Sequence, residues 1–256
     1  MKKFIVASLC IAMHALMYAE ALNSPIKITI DKIDTKSQTI QFLAPDLKVG
    51  ETGIINHHFG DNYQGIIGIA QITHIDSAYA SAKIINNKLL SQPYLPNPTI
   101  AVSKGDEIVF RLLNNQAFII APNLETYEKV RLENKEINFL NSDLMVAYLF
   151  DKGGFDPKPS FFNEVCQMYS VGLLYVITQN TLQILDCQSL IVLESKEFDT
   201  SAVTDTIAPF FSRIQYSSSG SLDASLKSKK SKHYFQYYQA LVKEGMEFKT
   251  IKIKSK

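Results

Sequence analysis

The sequence predicts an α+β fold: a β-rich, barrel-like N-terminal unit followed by a mixed α/β unit with an antiparallel meander. Three patterns carry this reading. From Pro25 to about Leu113 apolar and polar residues alternate with period two between short polar turns. After Asn115 several stretches take up helical spacing, each with its own start signal. From Val171 to Phe198 the chain returns to strand-like runs joined by tight turns.

The alternating part begins with "IKITIDKI" (Ile26–Ile33) and "TIQFL" (Thr39–Leu43), expected as a first pair of strands. "TGIINHHF" and "GIIGIAQITHI" flank the polar turn "GDNY" and predict a hairpin between about Gly53 and Ile75. "AYASAKIIN" and "DEIVFRLL" follow the turns "DS" and "SKG", so six short strands are expected in a small barrel or rolled sheet. Proline excludes "QPYLPNP" (Gln92–Pro98) from a central strand and makes it a loop or an edge.

The second half opens with the strand "AFIIAPN" and the helix "LETYEKVRLE", for which Asn123 is the expected cap. "INFL" is a short strand, and "NSDLMVAYLF" is a helix entered through capping residues and stopped by "KGG". "PSFFNEVCQMYS" has proline at its start and places Phe161, Val165, Cys166 and Tyr169 on one face. A meander follows, with turns at Gln179–Asn180 and near Cys187–Ser189. "DTIAPFFSRIQ" is a helix or a loop over the core, and "YSSSGSLDASLKSKKSK" is a Ser/Lys-rich loop. "HYFQYYQALVKEG" is a short helix with an aromatic face, and "MEFKTIKIKSK" alternates as an edge strand with lysines on its wet side. The expected organisation is therefore 1–21, 22–115, 116–215, 216–232 and 233–256: export signal, β-rich unit, α+β unit, basic loop, and C-terminal helix with edge strand.

"MKKFIVASLCIAMHALMYAEA" has a basic start, an apolar stretch from Phe4 to Tyr18 and an A-x-A site at Ala19 and Ala21. It reads as a secretory signal cleaved after Ala21 or Ala19, so the mature chain is expected in the periplasm or at the cell surface. No later run reaches the roughly 20 apolar residues that a spanning helix needs. With Cys10 removed, Cys166 and Cys187 remain in an oxidising compartment. A bridge between them would contribute about 3 kcal/mol by chain entropy. Two buried thiols and a reactive thiol are the alternatives, and the lack of a C-x-x-C motif or nearby His argues against the last.

Charge narrows the partners. Losing the leader removes Lys2, Lys3 and Glu20 from totals of 26 basic and 25 acidic residues, leaving 24 of each sign. From Ala224 onward nine lysines face only Glu244 and Glu247, so a basic tail follows an acidic body. That distribution implies no broad positive face for nucleic acid. The turn "IIAPNLETY" lacks the glycines that let a backbone approach phosphate, so no nucleotide cofactor is expected. "HHFGD" puts His57 and His58 on opposite strand faces, with Asp61 and His74 nearby, which favours solvated imidazoles over a metal site. "DKGGFDP" (Asp151–Pro157) lacks the ligands of a Ca²⁺ loop. No catalytic motif emerges, and a non-enzymatic role is expected.

"IAPN" with the following "YEKV", then "SDLMVAYL", "SVGLLYVI", "LDCQSLIVL" and the upstream "LKVGETGII" together resemble the N-terminal domain family of bacterial plasminogen-binding proteins. The resemblance covers roughly Pro25 to Arg213. It implies an exported envelope or surface protein, and for some members capture of host plasminogen. Plasminogen-binding members carry a long charged extension after the domain. For them a C-terminal lysine is the expected contact with the kringle lysine sites. Here that residue is Lys256, with Lys254 and Lys252 beside it, and a terminal lysine offers both an ammonium and a carboxylate to such a pocket. The alternative is a structural or assembly component of the periplasm, bound to an envelope protein and without a host ligand.

Overall fold

Alternation between residues 22 and 110 builds a seven-stranded antiparallel sheet. In the computed structural model, residues 22–44, 46–60, 63–85, 89, 100–152, 154–214 and 230–243 are described. The strands are β1 (Ile26–Thr29), β2 (Lys32–Asp34), β3 (Thr39–Leu43), β4 (Thr52–His58), β5 (Gln64–Asp76), β6 (Tyr79–Ile85) and β7 (Glu107–Phe110). Their order is β1-β7-β4-β5-β6-β3-β2. The expected pairing of Ile26–Ile33 with Thr39–Leu43 is only half realised, because that run splits in two. β1 pairs with β7 and β2 with β3, so successive pieces of one segment form both margins of the sheet. At the break, Ile30 N–H donates to Asp106 O and Asp31 N–H to Gln41 O. The sheet is thereby rolled, with Ile30, Ile40, Phe42, Ile55 and Phe110 inside it. Among the described residues the strands of this sheet number seven where six were expected, for the same reason.

The second sheet has the order β12-β11-β10-β8-β9, with β8 (Gln116–Ile120), β9 (Asn138–Phe139), β10 (Leu173–Thr178), β11 (Thr181–Asp186) and β12 (Val192–Glu197). β8 runs parallel to both β9 and β10, while β10, β11 and β12 form the antiparallel meander. The helices are α1 (Leu124–Glu133), α2 (Ser142–Asp151), α3 (Pro159–Met168) and α4 (Tyr234–Lys243). Asn123 caps α1 by accepting from Thr126 N–H at 3.0 Å, and Asn141 caps α2 by accepting from Asp143 N–H at 3.0 Å. Pro159 opens α3, where a missing N–H costs nothing.

Strand alternation sorts the core into two layers. Phe118, Ile120, Leu174 and Val176 face α2, α3 and α4, while Ala117, Ile119, Tyr175 and Ile177 face α1. β10 is buried along its whole length because both faces are covered. Cys166 and Cys187 are bonded, which ties α3 to the turn after β11.

The two sheets meet at a seam formed by residues 48–53 and 111–114 on one side and 172 and 186–193 on the other. Thr52 donates to Asp186, Ser189 Oγ donates to Gly50 O at 2.7 Å, and Lys48 Nζ donates to Leu193 O at 2.8 Å. Gly50 has φ +94°, and a Cβ there would sit 2.5 Å from Ile191 Cγ2. At Gly172 a Cβ would meet the Leu113 backbone at 2.4 Å. Both positions demand glycine because the chains approach so closely. Beside them Arg111 and Glu51 form a buried bidentate pair, with N–O distances of 3.0 Å.

Candidate functional site

The lysine-bearing C-terminal segment starts where α4 ends, so the way α4 is held decides where that segment is rooted. Tyr234, Tyr237, Tyr238 and Leu241 recur at i, i+3, i+4 and i+7 and are all essentially buried. A buried phenol needs an acceptor, and each of these tyrosines has one. Tyr237 Oη donates to Pro157 O at 2.6 Å, Tyr238 Oη to Pro209 O at 2.9 Å, and Tyr234 Oη lies 2.8 Å from Ile120 O and 3.0 Å from Ile177 O. Burial pushes all three hydroxyls above the usual tyrosine range, so each remains a donor.

Tyr234 also occupies a meaningful place. α1 leads from β8 to β9 across one face, whereas α2 and α3 lead from β9 to β10 across the other. In open α/β sheets a ligand crevice opens where the connections diverge, at the carboxyl ends of the parallel strands. Here the chain itself fills that crevice. Tyr234 caps the carbonyls of Ile120 and Ile177, Phe211 N–H donates to Ala121 O, and Ile207 N–H donates to Pro122 O. This agrees with the missing phosphate-binding glycines. Residues 205–214 of "DTIAPFFSRIQ" form an irregular segment over the core, not a helix, and the Ala208–Pro209 bond is cis.

Two carboxylates hold the chain on either side of residues 215–229. Asp143 accepts from Ser212 Oγ and Arg213 N–H, each at 2.8 Å, and from Arg213 Nε at 2.9 Å. Partial burial raises the Asp143 pKa, but the Ser212 and Arg213 donors outweigh it and hold the carboxyl below its ordinary value. Asp156 accepts from Ser231 N–H at 2.8 Å, Ser231 Oγ at 2.7 Å and Lys230 N–H. Sequence reasoning missed both anchors. A residue's partner some seventy positions away leaves no local signature.

His57 departs from the expectation of a solvated imidazole. Its Nδ1 lies 2.7 Å from Asp106 Oδ1, and only about a quarter of the side chain is exposed. His58 is exposed, as alternation requires. No group of three or more metal-binding side chains occurs among the described residues. No helix among them is long and apolar enough to cross a membrane. Lys252, Lys254 and Lys256, the expected edge strand, Gln92–Pro98 and residues 1–21 lie outside the described residues, as does most of 216–232.

Comparison with known proteins identifies relatives of this chain. The family described as "Plasminogen-binding protein pgbA N-terminal" matches residues 25–242, ending one residue before the last residue of α4. Plasminogen-binding protein PgbA of Helicobacter pylori strain J99 is 43% identical over 222 residues, and its counterpart in strain 26695 is 42% identical over the same length. In both cases the match covers 87% of this chain but 48% of the relative, so the chain spans about half the length of the relatives it matches. On that match, the chain belongs to the family of plasminogen-binding protein pgbA N-terminal domains.

Proposed function

We propose that this chain is an exported, non-enzymatic binding module of the bacterial envelope, and that its α+β half serves as the root for a lysine-rich segment offered to host plasminogen. Lys256, Lys254 and Lys252 are the contacts, each presenting an ammonium on a flexible apolar stem. Residues 1–21 direct export and are removed.

The observation that carries this reading is the locking of α4 by three buried tyrosine hydroxyls, which gives the residues after Lys243 a fixed starting point. The relatives' name supports the choice of partner. The family match stops at residue 242, so Lys252, Lys254 and Lys256 lie outside the matched region.

Binding of the purified mature chain to immobilised plasminogen, with and without ε-aminocaproic acid, tests the proposal. Competition by this lysine analogue is the expected result. Binding that the analogue leaves untouched, or no binding at all, contradicts it and favours a periplasmic assembly role. Protease accessibility on intact cells then distinguishes the surface from the periplasm.

A further inference from the structure

At the junction of the two sheets one hydroxyl reaches both oxygens of a buried carboxylate. Thr52 Oγ1 lies 2.8 Å from Asp186 Oδ2 and 3.0 Å from Asp186 Oδ1, and Asp186 is 3% exposed. The main-chain donors are shared unequally between those oxygens. Oδ1 accepts the N–H groups of Gln188 at 3.0 Å and Ser189 at 2.9 Å, which fill its two lone-pair directions. Oδ2 accepts a single main-chain N–H, from Thr52 at 2.9 Å, together with the Thr52 hydroxyl. Oδ2 is therefore the oxygen that can take a proton without displacing a main-chain donor. Among the described residues no ion pair reaches Asp186, and the charged groups on the segments packed around it are engaged elsewhere. Glu51 and Arg111 bond each other, Lys48 Nζ donates to Leu193 O, and Glu194 and Lys196 of β12 pair at 3.5 Å. Glu164 of α3 accepts from Tyr148 Oη at 2.9 Å, and burial keeps Tyr175 of β10 a neutral phenol.

A neutral acid at this position needs an acceptor for its new O–H. Thr52 Oγ1 supplies one at 2.8 Å, because a hydroxyl carries one proton and two lone pairs, and its own proton then turns to Oδ1. We propose that the Thr52 hydroxyl is a reversible partner, donating to ionised Asp186 and accepting from the neutral acid, so that the junction of the two sheets stays closed as the medium acidifies. The proton comes from solvent, and the three main-chain N–H bonds persist. Burial agrees with this role, since it outweighs the hydrogen bonds and raises the Asp186 pKa. The folded chain then binds a proton here more readily than the unfolded chain. This group's contribution to stability is present in acid and is lost as pH rises through the folded value. Asp143 responds in the opposite sense, because its donors lower its pKa.

NMR titration of the isotope-labelled full chain, read at the Asp186 carboxyl carbon, tests the first half of this proposal. The expected midpoint lies above about 3.9, and hydrogen-exchange protection of the Thr52, Gln188 and Ser189 amides persists across it. Thr52→Val tests the second half, because it removes the hydroxyl and keeps the N–H. It is expected to lower the folding equilibrium constant about fivefold on both sides of the midpoint, and Thr52→Ser to restore it. A hydroxyl that serves only as donor to the carboxylate would leave a penalty that fades in acid. The proposal is overturned if Asp186 stays ionised until the chain unfolds, if the three amides lose protection in step with its titration, or if the Thr52→Val penalty disappears below the midpoint. Should Thr52→Val fail to fold, the wild-type titration still decides.

Discussion

Thr52 gives both its backbone N–H and its hydroxyl to the carboxylate of Asp186, 134 residues further along the chain. The same carboxylate accepts the N–H groups of Gln188 and Ser189, so one buried side chain closes its own turn and joins the two sheets. Burial pushes the Asp186 pKa up and the four donors pull against it, with burial prevailing. A cluster of donors around one acceptor has a clear consequence for mutation.

Asp186→Ala strands the N–H groups of Thr52, Gln188 and Ser189 at once. The expected loss is about 3 kcal/mol of unfolding free energy in urea titration. Thr52→Val removes only the hydroxyl and is expected to cost about 1 kcal/mol. Equal effects from the two variants would show that Asp186 does not organise the seam.

Removing a tyrosine hydroxyl in α4 leaves a buried carbonyl without its donor. Tyr237→Phe, which unpairs Pro157 O, is expected to cost about 1–2 kcal/mol, measured by thermal or urea unfolding. Tyr238→Ala adds a cavity and is expected to cost about 3–5 kcal/mol. Limited proteolysis of both variants will show earlier cleavage at α4 if the helix is held as described.

The Cys166–Cys187 bond spans 21 positions and is wholly buried. Alkylation under denaturing, non-reducing conditions will leave both residues unlabelled. The double Cys→Ala variant is expected to lose about 3 kcal/mol. Full labelling without reductant would remove the bridge from this account.

Asp143 supplies an acid-side dependence of stability. Its folded pKa is lowered, by donors that outweigh partial burial, so the unfolded chain binds more protons between the folded value and about 3.9. Its stabilisation is therefore present above about pH 3.9 and is lost as pH falls through the folded value. Asp143→Asn will flatten that part of the stability–pH profile. An unchanged slope would remove Asp143 from the acid response.

Much of the architecture is legible in the sequence because it is written in local signals. Asn123 and Asn141 cap helices where their positions predict, Pro159 opens α3, and alternation locates β3 to β7. What failed to read out depends on distant residues. The break of Ile26–Ile33 at Ile30 follows from the curl of the whole sheet, and a period-two pattern does not encode curl. Alternation assigned His57 its face but not its partner, Asp106, which lies 49 positions away. The aromatic face of α4 was visible, but the carbonyls at Ile120, Pro157, Ile177 and Pro209 that receive its hydroxyls were not. "LDCQSL" holds the one usable hint of the seam, since an Asp followed by Gln and Ser two and three positions on is turn chemistry.

The most direct measurement of the central claim compares plasminogen binding by residues 22–256 and by the same chain lacking only Lys256, at equal folded concentration. The account predicts at least a tenfold loss of affinity on deletion, with further loss when Lys252 and Lys254 become glutamine. Affinity unchanged by removal of Lys256 and of both neighbouring lysines would contradict it.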